Sequence, residues 1–222
     1  ISKVWTIIFS LFALAVAINI FITSGRAGHM MFLFSIVVLT FQYFKKSIIK
    51  AFFISCFLVI STVFPAYNYS TLFQDRVHEA LDNINNYETF KNTSVGHRIT
   101  FALNSYEIFI NNPIIGVGTG DFPEEYEKIN KVNSPEVYLT SQPHNMYLLV
   151  LTQHGLFGIM IFFYFFVTQF RIAIDSSSSS IKNIGIALPL FFLLIMLSDS
   201  YLLGHFTGNL YILFSSILYS KQ

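Results

Sequence analysis

Residues 48–66 read IIKAFFISCFLVISTVFPA, an apolar run broken by one charge, Lys50. A helix crossing the hydrocarbon core of a bilayer needs about 20 mostly apolar residues, and this run supplies them. Comparable runs lie at residues 4–22 and 27–44 on one side of it, and at 145–170, 181–197 and 202–219 on the other. Pro189 is expected to kink the fifth run. The fold expected is therefore all-α: a polytopic transmembrane helical bundle of about six spans. Residues 1–66 and 144–222 are expected to hold three transmembrane helices each. Between them lies a hydrophilic loop, residues 67–143.

Composition points the same way. The 222-residue chain is 54% hydrophobic and 11% charged, with 26 phenylalanines. Soluble domains carry about 25% charged residues, so a water-soluble fold of this size would lack polar surface. The lipid bilayer is the expected surrounding. The formal charge of +1 carries no nucleic-acid signature, and no nucleic-acid partner is expected. Cys56 is the single cysteine, which excludes a disulfide framework within the chain and reads as packing. The chain starts at Ile1, almost directly in an apolar run and without a signal-peptide pattern. It is expected to be a piece of a longer protein.

Positive charge in short loops marks the cytoplasmic side. Lys3, the Lys45/Lys46/Lys50 group, Arg171 with Lys182 around the serines at 176–180, and Lys221 all fall on one side if six spans are correct. The turn at 23–28, the long loop and the turn near Asp199 then face away from the cytoplasm. The loop holds all but two of the 12 acidic residues. Within it, residues 96–112 read as a helix near the membrane surface, with Ile99, Leu103, Tyr106 and Ile110 at spacings of three and four. Asn111, Asn112 and Pro113 end that helix. The glycines at 116, 118 and 120 follow a helix and open no βαβ unit, so a nucleotide-binding loop is rejected. They read as a tight turn returning the loop to the membrane.

Few residues in this chain can carry chemistry. Arg26 stands at the outward start of the second run. It is either a snorkelling anchor or, beside the free N–H groups of a helix N-terminus, an anion-binding residue. Arg98 opens the loop helix and is either a solvated arginine or a planar fork suited to phosphate oxygens. His144 stands at the outward start of the fourth run, a capping histidine or a general base. Gly155 and Gly158 permit close helix packing. Asp199, near an outward turn with His205 close in sequence, reads as an acceptor-positioning pair or as turn and packing residues. The six histidines show no zinc-ligand spacing, and no serine-hydrolase elbow occurs.

Three segments together resemble the O-antigen ligase/polymerase superfamily. The first is Thr23–Ser24–Gly25–Arg26 leading into an apolar helix. The second is Arg98 followed by Asn112–Pro113–Ile114–Ile115–Gly116–Val117–Gly118 and Phe122. The third is His144–Asn145, nine residues, then Gly155 and Gly158. Where the family often has tryptophan four residues after the loop arginine, this chain has Ala102. Family members usually have about twice as many spans as this chain, which then corresponds to a C-terminal half.

The resemblance implies a GT-C-like membrane glycosyltransferase of the bacterial inner membrane, acting on its periplasmic face without a cofactor or required metal. Such enzymes take a glycan from a lipid-linked diphosphate, typically undecaprenyl diphosphate, and pass it to a hydroxyl. The acceptor is lipid A–core in a ligase, another repeat in a polymerase and a protein side chain in a third branch. The histidine–glycine spacing favours the ligase. On this reading Arg26 and Arg98 bind the diphosphate with Asn145 beside them. His144 is the base, and Asp199 and His205 support it. A transporter or flippase would place ionisable groups near the bilayer midplane or show repeats. Here the charges gather at the ends of the runs.

Overall fold

The computed structural model describes residues 3–23 and 25–220. Ser24 and Lys221, both used above, lie outside the described residues. Among the described residues the chain is helix and turn, as the apolar runs require. It divides into two compact units, Ile1–Leu81 and Asp82–Gln222.

The first unit holds α1 (Lys3–Ile22), α2 (Arg26–Tyr43), α3 (Ile48–Tyr69) and most of α4 (Thr71–Asn85). Pairs α1·α2 and α2·α3 pack as neighbours. The outward faces of α1 and α3 are covered with exposed Phe, Ile, Leu and Val, the surface a helix presents to lipid. Helix α4 follows α3 after one residue, Ser70, and is polar along much of its length.

The second unit holds α5 (Ser94–Asn111), α6 (Phe122–Asn133), α7 (Met146–Asp175), α8 (Ser179–Ile195) and α9 (His205–Leu218). Its core runs through Phe101, Ile108, Phe122, Tyr126, Leu149 and Phe166. Burying each such side chain contributes roughly 1.5–3 kcal/mol. Helix α5 starts where expected, with Thr93 accepting from the Gly96 N–H at 3.1 Å. Its buried face, however, is Phe101, Asn104, Ser105 and Ile108. Leu103, Tyr106 and Ile110, expected to form the apolar stripe, are exposed. Two polar residues on the inner face disguised the pattern. Asn104 is buried because its amide donates to Asn130 Oδ1 at 3.1 Å and Ser134 Oγ at 2.9 Å on the α6 side. A satisfied polar group of this kind can be buried at little cost.

Helix α7 is not the single straight span expected over 145–170. Gly155, at φ 63 and ψ −159, interrupts it. Tyr147 stacks on Phe163 with ring centroids 5.7 Å apart and meets Phe162 edge-on at 5.9 Å. In a straight helix the Cα atoms of residues 147 and 162 would stand about 22 Å apart. The two arms therefore fold towards each other at an acute angle about Gly155.

Residues 113–118 clip this bend. Leu156 and Phe157 donate their N–H groups to the carbonyls of Pro113 and Ile114 at 2.8 and 3.1 Å. Val117 and Gly118 donate to the carbonyls of Thr152 and Gln153 at 2.9 and 3.0 Å. Both broken helix ends are thus satisfied by one strap of chain, as buried backbone requires. A Cβ at Gly116 would meet backbone of Gln153 and His154 at 2.4 Å, and one at Gly155 would meet Ile114 O at 2.3 Å. Both positions also need a positive φ. Gly155 and Gly158, expected to let helices pack, here serve the bend: a Cβ on Gly158 would meet that of His154 at 2.1 Å.

The span count also changes. Three helices, α1, α3 and α7, are long and apolar enough to cross a membrane among the described residues, against about six expected. Helix α2 carries Arg26, His29 and Gln42 along its 18 residues. Helix α8 is apolar but has 17 residues, and α9 has 14. Residues 201–204 form turns before His205, which shortens the sixth run. The chain is a helical membrane protein with fewer full-length spans than its apolar runs suggested.

Candidate active site

His144 lies in the second unit between Pro143, which is fully buried, and Asn145, the N-cap of α7. It has φ 50, the one described non-glycine residue with positive φ. Such a conformation costs of order 1–3 kcal/mol and persists where surrounding structure holds it.

Bonds from the two residues after it and two contacts of its own ring hold it. Asn145 Oδ1 accepts from the Tyr147 and Leu148 N–H groups at 3.0 and 3.1 Å, and Asn145 Nδ2 donates to Leu197 O at 3.1 Å. This ties the start of α7 to the turn after α8. The Met146 N–H donates to Met196 O at 2.9 Å across the same seam. The His144 ring stacks on Phe101, with centroids 5.7 Å apart and planes 25° apart. Finally, His144 Nδ1 lies 3.2 Å from Asp199 Oδ1.

The Asp199 carboxylate is itself fixed, since its Oδ1 accepts from the Ser200 N–H at 2.7 Å. With Nδ1–H donated to the carboxylate, the lone pair of His144 Nε2 is available to take a proton. This is the arrangement of a base oriented by a third group. The His144 and Asp199 side chains are 29% and 34% exposed, so the pair is reachable from solution.

Phe101, not singled out from the sequence, joins this pair to α5. It also stacks on His97 at 5.9 Å and meets Tyr138 edge-on at 5.4 Å. Partial burial lowers the His97 imidazole below its ordinary value. Arg98 lies three residues before Phe101 on α5, outside the buried face that holds Phe101. It is exposed, and among the described residues no hydrogen bond or ion pair engages it. The second unit thus gathers a histidine–carboxylate pair and, one helical turn from its aromatic support, an uncommitted guanidinium.

His205 is exposed at the start of α9 and makes no hydrogen bond or ion pair with His144 or Asp199. Arg26 belongs to the first unit, as the first residue of α2, whose N-cap Gly25 offers no side-chain cap. Its guanidinium pairs with Glu79 at 2.9 Å, and Arg76 pairs with the same carboxylate oxygen at 2.8 Å. Hydrogen bonding from Arg76, with the charge of Arg26 adding to it, holds the Glu79 carboxyl below its usual range. A carboxylate therefore occupies the guanidinium that the sequence offered to an anion. Glu79 was missed because nothing in its local pattern marks a partner 53 residues away.

A family model described as O-antigen ligase matches residues 11–163 of this chain. No curated protein and no solved structure gives a match. The matched region includes Arg26, Arg98, the strap at 113–118, His144 and both glycines of the α7 bend.

Proposed function

The chain belongs to the O-antigen ligase family, and from that premise we propose that it transfers a glycan from undecaprenyl diphosphate to a hydroxyl of lipid A–core at the periplasmic face of the bacterial inner membrane. Membership makes it an O-antigen ligase/polymerase-type membrane enzyme. The donor, the acceptor, the face and the residue roles are the proposal.

The observation that supports it is the 3.2 Å contact between His144 Nδ1 and Asp199 Oδ1. In the proposed step, His144 Nε2 takes the proton from the acceptor hydroxyl. The oxygen attacks the anomeric carbon as the bond from that carbon to the diphosphate oxygen breaks. The diphosphate leaves with the bonding pair, and one displacement inverts the anomeric centre. Asp199 holds the imidazole in the productive tautomer and stabilises the imidazolium. Arg98 is assigned to a donor phosphate, where its positive charge stabilises the charge that develops on the leaving group. Arg26 is assigned the same chemistry, with Glu79 as the carboxylate it must exchange for the ligand. Asn145 Nδ2 keeps one hydrogen beyond that given to Leu197, and it is assigned to a donor oxygen.

The test is the lipid and lipopolysaccharide profile of cells carrying His144→Ala in the full-length protein. Accumulation of long lipid-linked glycan unattached to core supports ligation. Single repeats attached to core would assign polymerisation instead. An unchanged profile with the protein inserted would reject this site.

A further inference from the structure

The bend at Gly155 has a consequence for where the membrane surface lies. Before it, residues 146–154 contain no exposed residue. They are covered by α5, α6 and the end of α8. After it the surface changes at once. Leu156, Phe157, Met160 and Ile161 are 49–61% exposed, a largely uncovered apolar face. The arm from Leu156 to Asp175 rises about 30 Å, the thickness of the hydrocarbon core. The arm before the bend adds nothing to that crossing, because it folds back at an acute angle.

The strap that clips the bend carries a second feature. Ile114 and Ile115 are 70% and 74% exposed, although their backbone is pinned against the first residues of the spanning arm. Two adjacent isoleucines held open by a rigid strap are unfavourable in water. They continue the lipid-facing surface of Leu156 and Phe157. An apolar groove of about 390 Å³, lined by Ile115, Val150, His154, Phe157 and Ile161, opens at the same level. Gln153 and His154, just before the bend, are partly exposed and supply polar groups there, as expected of a headgroup region.

We propose that the strap at 113–116 is a membrane anchor seated at the headgroup–acyl boundary on the loop side, and that the bilayer span of α7 starts after Gly155 rather than at Asn145. The partner of this surface is the bilayer itself. The short arm then dips back beside the spanning arm as a re-entrant helix, with Tyr147 reaching the level of Phe162 and Phe163. Its covered, hydrogen-bonded backbone is what membrane depth demands of a broken helix.

The test uses the full chain in a Cys56→Ser background, with single cysteines at 114, 115, 157, 161 and 165 carrying nitroxides. Val132, 81% exposed on α6, gives the aqueous reference. Reconstitution is in vesicles of phosphatidylethanolamine and phosphatidylglycerol. Relaxation by oxygen, which concentrates in hydrocarbon, is compared with relaxation by a water-soluble nickel chelate. The oxygen-to-nickel ratio should climb from 157 through 161 to 165, and labels at 114 and 115 should match 157. Labels at 114 and 115 that match Val132 would overturn the anchor. Labels there that match 165 would overturn the boundary, by burying the bend in the hydrocarbon.

Discussion

His144 Nδ1 and Asp199 Oδ1 lie 3.2 Å apart although 55 residues separate them. The histidine opens α7, and the aspartate sits in the turn after α8. Two backbone-anchored contacts of the same seam, Met146 to Met196 and Asn145 to Leu197, set their distance. Asp199→Asn keeps the shape of the site but offers an amide where the imidazole needs a carboxylate. It should lower the transfer rate while leaving expression, insertion and donor KM near wild type. A rate-constant measurement at saturating donor checks this, and an unchanged rate would remove Asp199 from the mechanism.

Glu79 and Arg26 yield a prediction of the opposite sign. If Arg26 binds a donor phosphate, Glu79 competes with the donor. Glu79→Gln should lower the donor KM, and Arg26→Ala should raise it. Exposed ion pairs of this kind contribute only ~0–1 kcal/mol to stability, so melting temperatures should barely move. A raised KM in Glu79→Gln would show that the carboxylate positions Arg26 instead.

Gly155→Ala and Gly116→Ala should each be severely damaging. Both place a Cβ within 2.5 Å of backbone and force a positive φ on alanine, a strain of about 1–3 kcal/mol before any clash. Thermal melting in detergent checks this, with Gly25→Ala as control, since a Cβ there meets nothing within 4 Å. A melting point within a degree or two of wild type for Gly155→Ala would mean the bend is dispensable.

Phe101 supports His144 from below and is 1% exposed. Phe101→Ala should cost about 3–5 kcal/mol of stability, and Phe101→Leu markedly less. Both should slow transfer in the fraction that folds, because the imidazole loses the ring it stacks on. Normal transfer by correctly inserted Phe101→Leu would make the stack a packing contact only.

Acid should loosen the same region. His97 has its pKa lowered by burial, so the unfolded chain takes up the proton first, near pH 6.5. The associated stability is fully present above that pH and is lost as pH falls through the lowered pKa. The melting temperature should drop below about pH 6.5, with a shallower drop in His97→Gln. Identical pH profiles for the two proteins would contradict this.

The membrane class was legible because it rests on composition, and the apolar runs at 4–22 and 48–66 became α1 and α3 nearly as read. The bend in α7 was hidden because residues 146–151 are as apolar as the spanning arm. They are apolar for protein burial instead of for lipid. Only Gly155 and the glycines at 116 and 118 hinted at a break. Arg98 and His144 were singled out from motif order within a known family, and the roles given to them are proposals. Phe101 and Glu79 were not, because a stacking partner and a counter-ion are chosen by tertiary proximity.

The most direct measurement is single-turnover transfer by the purified full-length protein, with an undecaprenyl-diphosphate glycan as donor and lipid A–core as acceptor. The wild type is compared with His144→Ala. A rate lower by roughly 10²–10⁴-fold with unchanged donor binding is the result a general base predicts. Near-normal transfer by a folded, inserted His144→Ala protein would contradict the account.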